Sequence, residues 1–303
     1  MAIDLSIIIV TYNHEAEIYT CLFTMKNILE SFRIEIIIID NASSDDTVSR
    51  ARMLLQEFDE RHTWSILTNT NNEGFTRGIN QGLDQSQGKY ILLLNPDTEF
   101  PMPIFQELIS ILESDEKIGI VSPQFRNPDG SIQPSCRRFP RHRDVFYAAL
   151  GWTWLFPTSK EFNCWKMGEF DHKTRQEIEQ PQGAFLLTRR TALDQVGKLD
   201  ESFPMFFSDV DWCRRFIHKG WKIVFTPEFY IIHYKGTSIY RNRLKMLWSS
   251  HRSFIDYFKK YYVSPKWRFA NIVTETMLYI LAVMRSIIFL ARGIYRKSPA
   301  EVS

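Results

Sequence analysis

The chain has 303 residues, 44% hydrophobic and 14% aromatic, with a formal charge of +2, enough apolar material for one large domain or two modest ones. That balance excludes a disordered chain, a collagen-like repeat and a disulfide-stapled miniprotein, and the net charge is too small to point to a nucleic-acid partner. The total conceals a split: residues 1–240 carry 25 Lys/Arg against 32 Asp/Glu, a net of −7, whereas residues 241–303 carry 12 against 3, a net of +9.

In chain order, Leu5–Val10 reads as a strand, residues 15–30 as a helix, Ile34–Ile39 as a strand, Thr47–Phe58 as a helix, Trp64–Leu67 as a strand, Phe75–Gln85 as a helix and Tyr90–Leu94 as a strand. The strands are near-continuous Ile, Val and Leu, as expected when crossover helices cover both faces of a parallel sheet. The pattern predicts a doubly wound α/β fold. Regularity breaks between residues 123 and 182, where six prolines and the cationic run Arg137, Arg138, Arg141 and Arg143 predict an irregular excursion over the sheet. It returns with the strand Ala184–Thr188, the helix Asp209–Lys219 and the strand Trp221–Phe225.

Residues 243–263 and 270–297 read as helices. In the second, Glu275, Arg285, Ser286, Arg292, Arg296 and Lys297 share one side, opposite a broad apolar face, and the longest uncharged run is Thr276–Met284. That run is short for a span of about 20 apolar residues. The expectation is an amphipathic, basic helix lying at a membrane interface, the alternative being a terminal helix packed on the domain. Residues 1–240 are therefore expected to form an acidic body and 241–303 a basic helical extension. Four scattered cysteines, Cys21, Cys136, Cys164 and Cys213, fit a reducing compartment. Asp4 and the polar run at residues 11–15 break the first apolar stretch, so no cleaved export signal is expected.

Three strands stop in polar clusters: Thr11-Tyr12-Asn13, Asp40-Asn41-Ala42-Ser43 and Asn95-Pro96-Asp97-Thr98. The carboxyl ends of parallel strands line the ligand crevice of open α/β sheets, so these clusters are expected to converge. A strand-terminal Asp such as Asp40 suits a base N–H or ribose hydroxyl. Asp97 is a hard-oxygen ligand suited to Mg²⁺ or Mn²⁺ shared with substrate phosphates. In Asn72–Gly82, glycines at 74, 78 and 82 would share one helical stripe and allow close approach of backbone or ligand, with Arg77 available for a diphosphate. Asp209 and Asp211 open a helix beside an aromatic wall that includes Trp212; they are candidates for a base and its orienter, although helix capping accounts for one of them equally well. His233 ends an apolar strand.

Taken together, TYN, DNASSDDT, NNEGFTRGIN, NPDT, GAFLLTRR, SDVDWCRR and HYKGTS resemble the inverting glycosyltransferases of family 2, over roughly residues 4–240, and within them the rhamnosyltransferase-like members that extend bacterial cell-surface polysaccharides. The resemblance implies a GT-A fold with a mostly parallel central sheet and a nucleotide-diphosphate sugar donor, dTDP- or UDP-linked. It places Thr11, Tyr12, Asn13 and Asp40 around the nucleoside, and Asn72, Gly74 and Arg77 near the nucleotide or its phosphates. Asn95 and Asp97 take the first and last positions of the DxD-type motif, with Asp97 holding a divalent cation that His233 completes. Asp209 matches the catalytic base. The chain departs from the family pattern at Ser208, where relatives have Glu, which shifts weight to Asp211, and at Asn95, which replaces the first acid of DxD.

Arg137, Arg138 and Trp212 are candidate contacts to the acceptor, for which the cationic run and basic tail suggest a polyprenyl-diphosphate-linked glycan at the cytoplasmic face of the inner membrane. The rival reading is a non-catalytic module that binds nucleotide or glycan without turnover. A nucleotidyltransferase or NAD-binding oxidoreductase lacks its glycine fingerprint here.

Overall fold

The computed structural model describes residues 3–29, 32–234 and 243–295. Its elements are β1 (Leu5–Thr11), α1 (Glu15–Lys26), β2 (Ile34–Asp40), α2 (Thr47–Leu55), β3 (Thr63–Thr68), α3 (Phe75–Gln85), β4 (Tyr90–Leu94), β5 (Thr98–Glu99), α4 (Phe105–Ser114), β6 (Ile118–Arg126), β7 (Ile132–Gln133), β8 (Cys136–Arg137), α5 (His142–Ala149), α6 (Trp152–Leu155), β9 (Gln176–Glu177), β10 (Gln180–Pro181), β11 (Phe185–Arg189), α7 (Arg190–Val196), α8 (Ser208–His218), β12 (Lys222–His233), α9 (Arg243–Tyr261) and α10 (Arg268–Tyr295). They form two compact units, the first of residues 1–139 and 170–238, the second of 140–169 and 239–303. The second unit is thus more than the C-terminal tail, because residues 140–169, which the sequence reading placed in the acidic body, group with it.

In the first unit the sheet runs β3-β2-β1-β4-β11-β6-β12-β5. Strands β3, β2, β1 and β4 are parallel neighbours; β11 runs antiparallel between β4 and β6, and β12 is parallel to β6. Every residue of β1 and β4 is buried, which is why these strands lack polar alternation. The glycine stripe of α3 is a packing device: a Cβ at Gly78 would lie 2.9 Å from Val10 Cγ1 and one at Gly82 would strike Ile8, so the bare stripe seats α3 on β1. The chain leaves β1 for β2 and β3 on one side and returns to β4 on the other. Consequently the crevice at the carboxyl ends of β1, β2 and β4 is the topological switch point.

The second unit contains α5, α6, α9 and α10, with α10 packed on α9 and α5. Thr274, Leu278 and Ala282, spaced by four, form its buried stripe. Polar contacts tie α10 to its neighbours: Glu275 pairs with Lys259 of α9 at 2.8 Å, Arg285 Nη1 lies 3.4 Å from His251 Nε2, and Thr274 Oγ1 lies 2.7 Å from His142 Nδ1. Phe269, Ile272, Ile280, Val283, Met284, Ile287, Ile288 and Leu290 are exposed. Pro265–Ala291, 27 residues, is long and apolar enough to cross a membrane, correcting the estimate made from its longest uncharged run. Arg296 and Lys297 lie outside the described residues.

Candidate active site

The clusters at the ends of β1 and β2 meet directly, and the third ends β4, the neighbour of β1 in the sheet. Thr11 and Asp40 are register partners, and Thr11 Oγ1 donates to Asp40 Oδ1 at 3.0 Å. Asp40 also accepts from the Ser43 hydroxyl at 2.5 Å and the Ser43 N–H at 2.9 Å. This buried carboxylate therefore shapes the β2–α2 turn. Asn13 crosses to the same turn, taking the Ser44 N–H on Oδ1 at 2.7 Å and giving its own N–H to Ser43 Oγ at 2.8 Å. Tyr12 stands exposed beside them. Asn13 at φ 57° and Ala42 at φ 62° both occupy the left-handed region. Non-glycine residues there carry strain, and such strain concentrates at functional sites.

Gly74 caps α3 at φ 89°, its N–H bound by Asn72 Oδ1 at 3.0 Å and its carbonyl by Asn41 Nδ2 at 3.1 Å, which ties the β3–α3 loop to the same crevice. Arg77 is exposed and held by Glu73 at 2.7 Å. A donor phosphate would compete with that carboxylate for it.

At the end of β4, the Asn95 N–H donates to Ala184 O at 2.9 Å, fastening the Asn-Pro-Asp turn to the start of β11. Asp97 is buried, and its Oδ1 has no hydrogen-bond partner. The atom facing it is His233 Nε2, 3.5 Å away. Gln133 determines what that nitrogen presents. Its Nε2 donates to Asn127 Oδ1 at 2.9 Å and to the His233 carbonyl at 3.1 Å, leaving Oε1 to accept from His233 Nδ1 at 2.7 Å. With Nδ1 committed to Gln133, a neutral imidazole presents Nε2 as an acceptor toward the unpartnered Asp97 Oδ1. Two acceptors facing each other in a buried pocket fit a shared cation. Among the described residues no group of three or more His, Cys, Asp and Glu gathers, so two protein ligands would leave the remaining positions to phosphate oxygens and water, the usual arrangement for Mg²⁺ and Mn²⁺. Residues 235–238, the rest of the HYKGTS motif, lie outside the described residues.

Asp209 lies at the start of α8, next to the β10–β11 turn. Its Oδ2 accepts the Gly183 N–H at 3.0 Å and Gln180 Nε2–H at 3.1 Å, and its Oδ1 the Val210 N–H at 2.9 Å. A Cβ at Gly183 would fall 3.0 Å from Asp209 Cβ, so glycine is what lets the carboxylate reach the turn. Burial raises the Asp209 pKa above the ordinary carboxylate value, and the donors from Val210, Gly183 and Gln180 work against it. Phe207, two residues earlier, is held at φ 69°. A half-buried carboxylate with a raised pKa at the ligand edge of the sheet is suited to take a proton.

Two expectations for α8 are corrected. Asp211 is fully buried and bound to Arg215 Nε at 2.9 Å, and Arg215 also holds the carbonyls of Val196 and Lys198. At 100° per residue Asp211 is turned about 200° from Asp209, so the two cannot share a face. Trp212 is likewise fully buried, its indole N–H on the Gly197 carbonyl at 2.9 Å and its ring against Phe216, which makes it a core residue rather than an acceptor platform. The cationic run is also divided. Arg137 and Arg138 belong to the first unit, Arg141 and Arg143 to the second. Arg137 sits opposite Gln180 in the β8–β10 ribbon and braces the carbonyls of Cys136 and Pro134. Arg141 bonds Asp144 and Cys164, and Arg143 bonds Glu161. Arg138 is half-buried. Sequence reasoning missed Gln133, Gln180 and Gly183, of which Gly183 alone carried a signal, standing immediately before an apolar strand.

Residues 6–196 match the family described as "Glycosyl transferase family 2". An N-acetylglucosaminyl-diphospho-decaprenol L-rhamnosyltransferase of Mycobacterium tuberculosis is 27% identical over 232 residues, 73% of each chain. Among solved structures, a mannosyltransferase from Pyrobaculum calidifontis in complex with GDP-Man and Mn²⁺ superposes with TM-score 0.58 at 15% identity, covering 97% of this chain and 80% of that one. GalNAc-T7 with UDP, GalNAc and Mn²⁺ gives 0.60 at 13% identity over 78% and 44%. The fold is the GT-A fold of these glycosyltransferases.

Proposed function

The chain belongs to glycosyl transferase family 2 and is a glycosyltransferase; on that footing we propose that it inverts configuration as it moves a hexose from a dTDP- or UDP-linked donor to a hydroxyl of a lipid-linked glycan, using a divalent cation. The observation that carries the mechanism is the setting of Asp209. In a single displacement Asp209 removes the proton from the acceptor hydroxyl while that oxygen bonds to the sugar C1. The C1–O bond to the diphosphate breaks on the opposite face, and the proton stays on the carboxylate until solvent removes it. Thr11, Asp40, Asn13 and the Gly74 loop shape the nucleoside end of the crevice, and their fixed hydrogen bonds supply positioning. Asp97 and His233 would hold Mg²⁺ or Mn²⁺, which offsets charge on the departing diphosphate.

Rhamnose as the sugar and a polyprenyl-diphosphate glycan as the acceptor are supported by the mycobacterial relative, whose name states both chemistries. Contact with the cytoplasmic face of a membrane is supported by α10, which exposes many large apolar residues while Thr274 and Glu275 bond to α5 and α9. An exposed apolar surface of that size marks an interaction site.

General-base assistance is worth about 10²–10⁴-fold, so Asp209→Asn is expected to lower kcat by at least that factor with donor affinity nearly unchanged, measured by donor turnover and calorimetry. Near-native kcat would remove Asp209 from the reaction.

A further inference from the structure

A second apolar surface lies in the same unit as α10, on the segment that interrupts the catalytic unit in sequence. Between α5 and α6 the chain turns at Gly151, φ 75°, around an aromatic cluster in which Tyr147 stacks on Trp152 with centroids 5.6 Å apart and Phe162 meets Trp152 edge-on at 5.0 Å. Phe146 and Phe156 form its half-exposed rim, the first against Trp152 and the second against Phe162, and beyond it stand Leu150, Trp154 and Leu155, with Trp154 81% and Leu155 57% exposed. Large side chains concentrated on so short a segment are not the scattered apolar residues of an ordinary surface. Glu161, which accepts from the Tyr147 hydroxyl of the cluster at 2.8 Å, is paired with Arg143 at 3.0 Å.

We propose that the α5–α6 tip, Leu150–Phe156, inserts into the headgroup region of an anionic lipid bilayer as a second anchor beside α10. The inference rests on the membrane reading of α10 given above. Charge selects lipid over a second copy of the chain. The second unit carries 16 Lys/Arg against 6 Asp/Glu, a net of +10, against −8 for the first. Pairing two such tips would bring two strongly cationic units together, whereas anionic headgroups complement each one. Trp and Phe at a tip suit the polar–apolar boundary of a bilayer. Continuity supports the same occupant, since α5 packs directly on α10. A cleft of about 360 Å³ between α9 and α10, lined by Lys245, Trp248, Arg252 and Tyr279, adds cationic and aromatic groups of the kind that headgroups contact.

The test is flotation of the full chain with phosphatidylcholine vesicles, with and without phosphatidylglycerol. Trp154→Ser, Leu155→Ser and Phe156→Ser combined are compared with Ile280→Ser, Met284→Ser and Ile287→Ser combined. The tip variant is expected to bind anionic vesicles at least tenfold more weakly, since burying even one of its three large side chains accounts for about that factor, with an unchanged melting curve. Brominated lipid should quench wild-type fluorescence more than that of Trp154→Phe, which reads insertion directly. Wild-type binding by the tip variant, with equal quenching, overturns the tip; if the α10 variant alone loses binding, the membrane reading survives it. A wild-type chain that does not float overturns both. A wild-type dimer that the tip variant converts to monomer without vesicles assigns the surface to a second copy instead.

Discussion

Gln180→Leu tests whether the donors around Asp209 set the pH at which the protein works. Wild-type Asp209 Oδ2 is held by the Gly183 N–H at 3.0 Å and Gln180 Nε2–H at 3.1 Å, against a burial that raises its pKa. A hydrogen bond to a charged group contributes about 1.5–3 kcal/mol, and one pKa unit corresponds to about 1.4 kcal/mol, so losing the Gln180 donor would raise the pKa by about one to two units in a dry site. Asp209 is half-buried, and water replacing the amide recovers part of that bond, which leaves about one unit. The proposed proton transfer needs the carboxylate ionised. The acid limb of the kcat/KM profile should therefore move about one unit toward alkaline pH, with the plateau beyond it largely kept. Stability carries the same signature. Because the folded-state pKa is already raised, the contribution of Asp209 is fully present below its unfolded value of about 4 and is lost as pH rises through the folded value. The variant enlarges that loss. The stability difference from wild type should be smallest at acid pH and should grow by about 1.4 kcal/mol per unit of added shift at pH values above the folded pKa. Steady-state kinetics across pH, with urea unfolding at the same pH values, measure both. An unmoved limb together with a pH-independent stability difference would refute the reasoning, reducing Gln180 to its 2.7 Å bond with the Pro181 carbonyl.

Gln133→Leu leaves His233 Nδ1 without its acceptor and should weaken Mn²⁺ binding in the presence of nucleotide about 10–100-fold, read by electron paramagnetic resonance of free Mn²⁺. Gln133→Glu, which still accepts from Nδ1, should restore much of it, and equal affinities in all three proteins would separate Gln133 from the cation. Asp211→Asn should destabilise the fold by about 1–3 kcal/mol in urea through loss of its charged bond to Arg215, while the acid limb of kcat/KM stays where it is. A kcat loss matching that of Asp209→Asn would return Asp211 to the chemistry.

Strands β1, β2 and β4 were legible because burial on both faces demands near-continuous Ile, Val and Leu, whereas β3, at the sheet edge and only partly buried, was read from the short apolar run Trp64–Leu67. Paired strands of two residues, such as β5, β7, β8 and β10, display nothing comparable, since their place depends on partners far along the chain. Gln133 and Gln180 lie in those strands, which is why the residues that hold His233 and Asp209 went unread while the held residues did not. The last strand was read as ending at Phe225 because Thr226, Pro227 and Glu228 interrupt the apolar run. In the structure β12 continues to His233 through a register shift between Thr226 and Tyr230. That shift absorbs the interruption and delivers His233 to the residue opposite Thr98, one position from Asp97. Asp211 and Trp212 were misread for a different reason: a cluster in sequence is not a cluster on a helix, whose faces separate neighbours by 100° per residue.

The charge split of the sequence persists when the chain is divided by its two compact units. A cut at residue 240 assigns −7 and +9, whereas the two units carry −8 and +10, so moving residues 140–169 to the helical unit widens the separation instead of blurring it. The segment also brings Phe146, Leu150, Trp154, Leu155 and Phe156 to a unit whose longest helix already shows its apolar side. Positive charge and exposed apolar surface oppose one another in a protein that must only stay dissolved, because the first favours water and the second avoids it. At an anionic bilayer they act together, charge drawing the unit to the surface and apolar side chains holding it there. The coincidence of both in one unit is therefore better explained by a lipid partner than either feature would be alone.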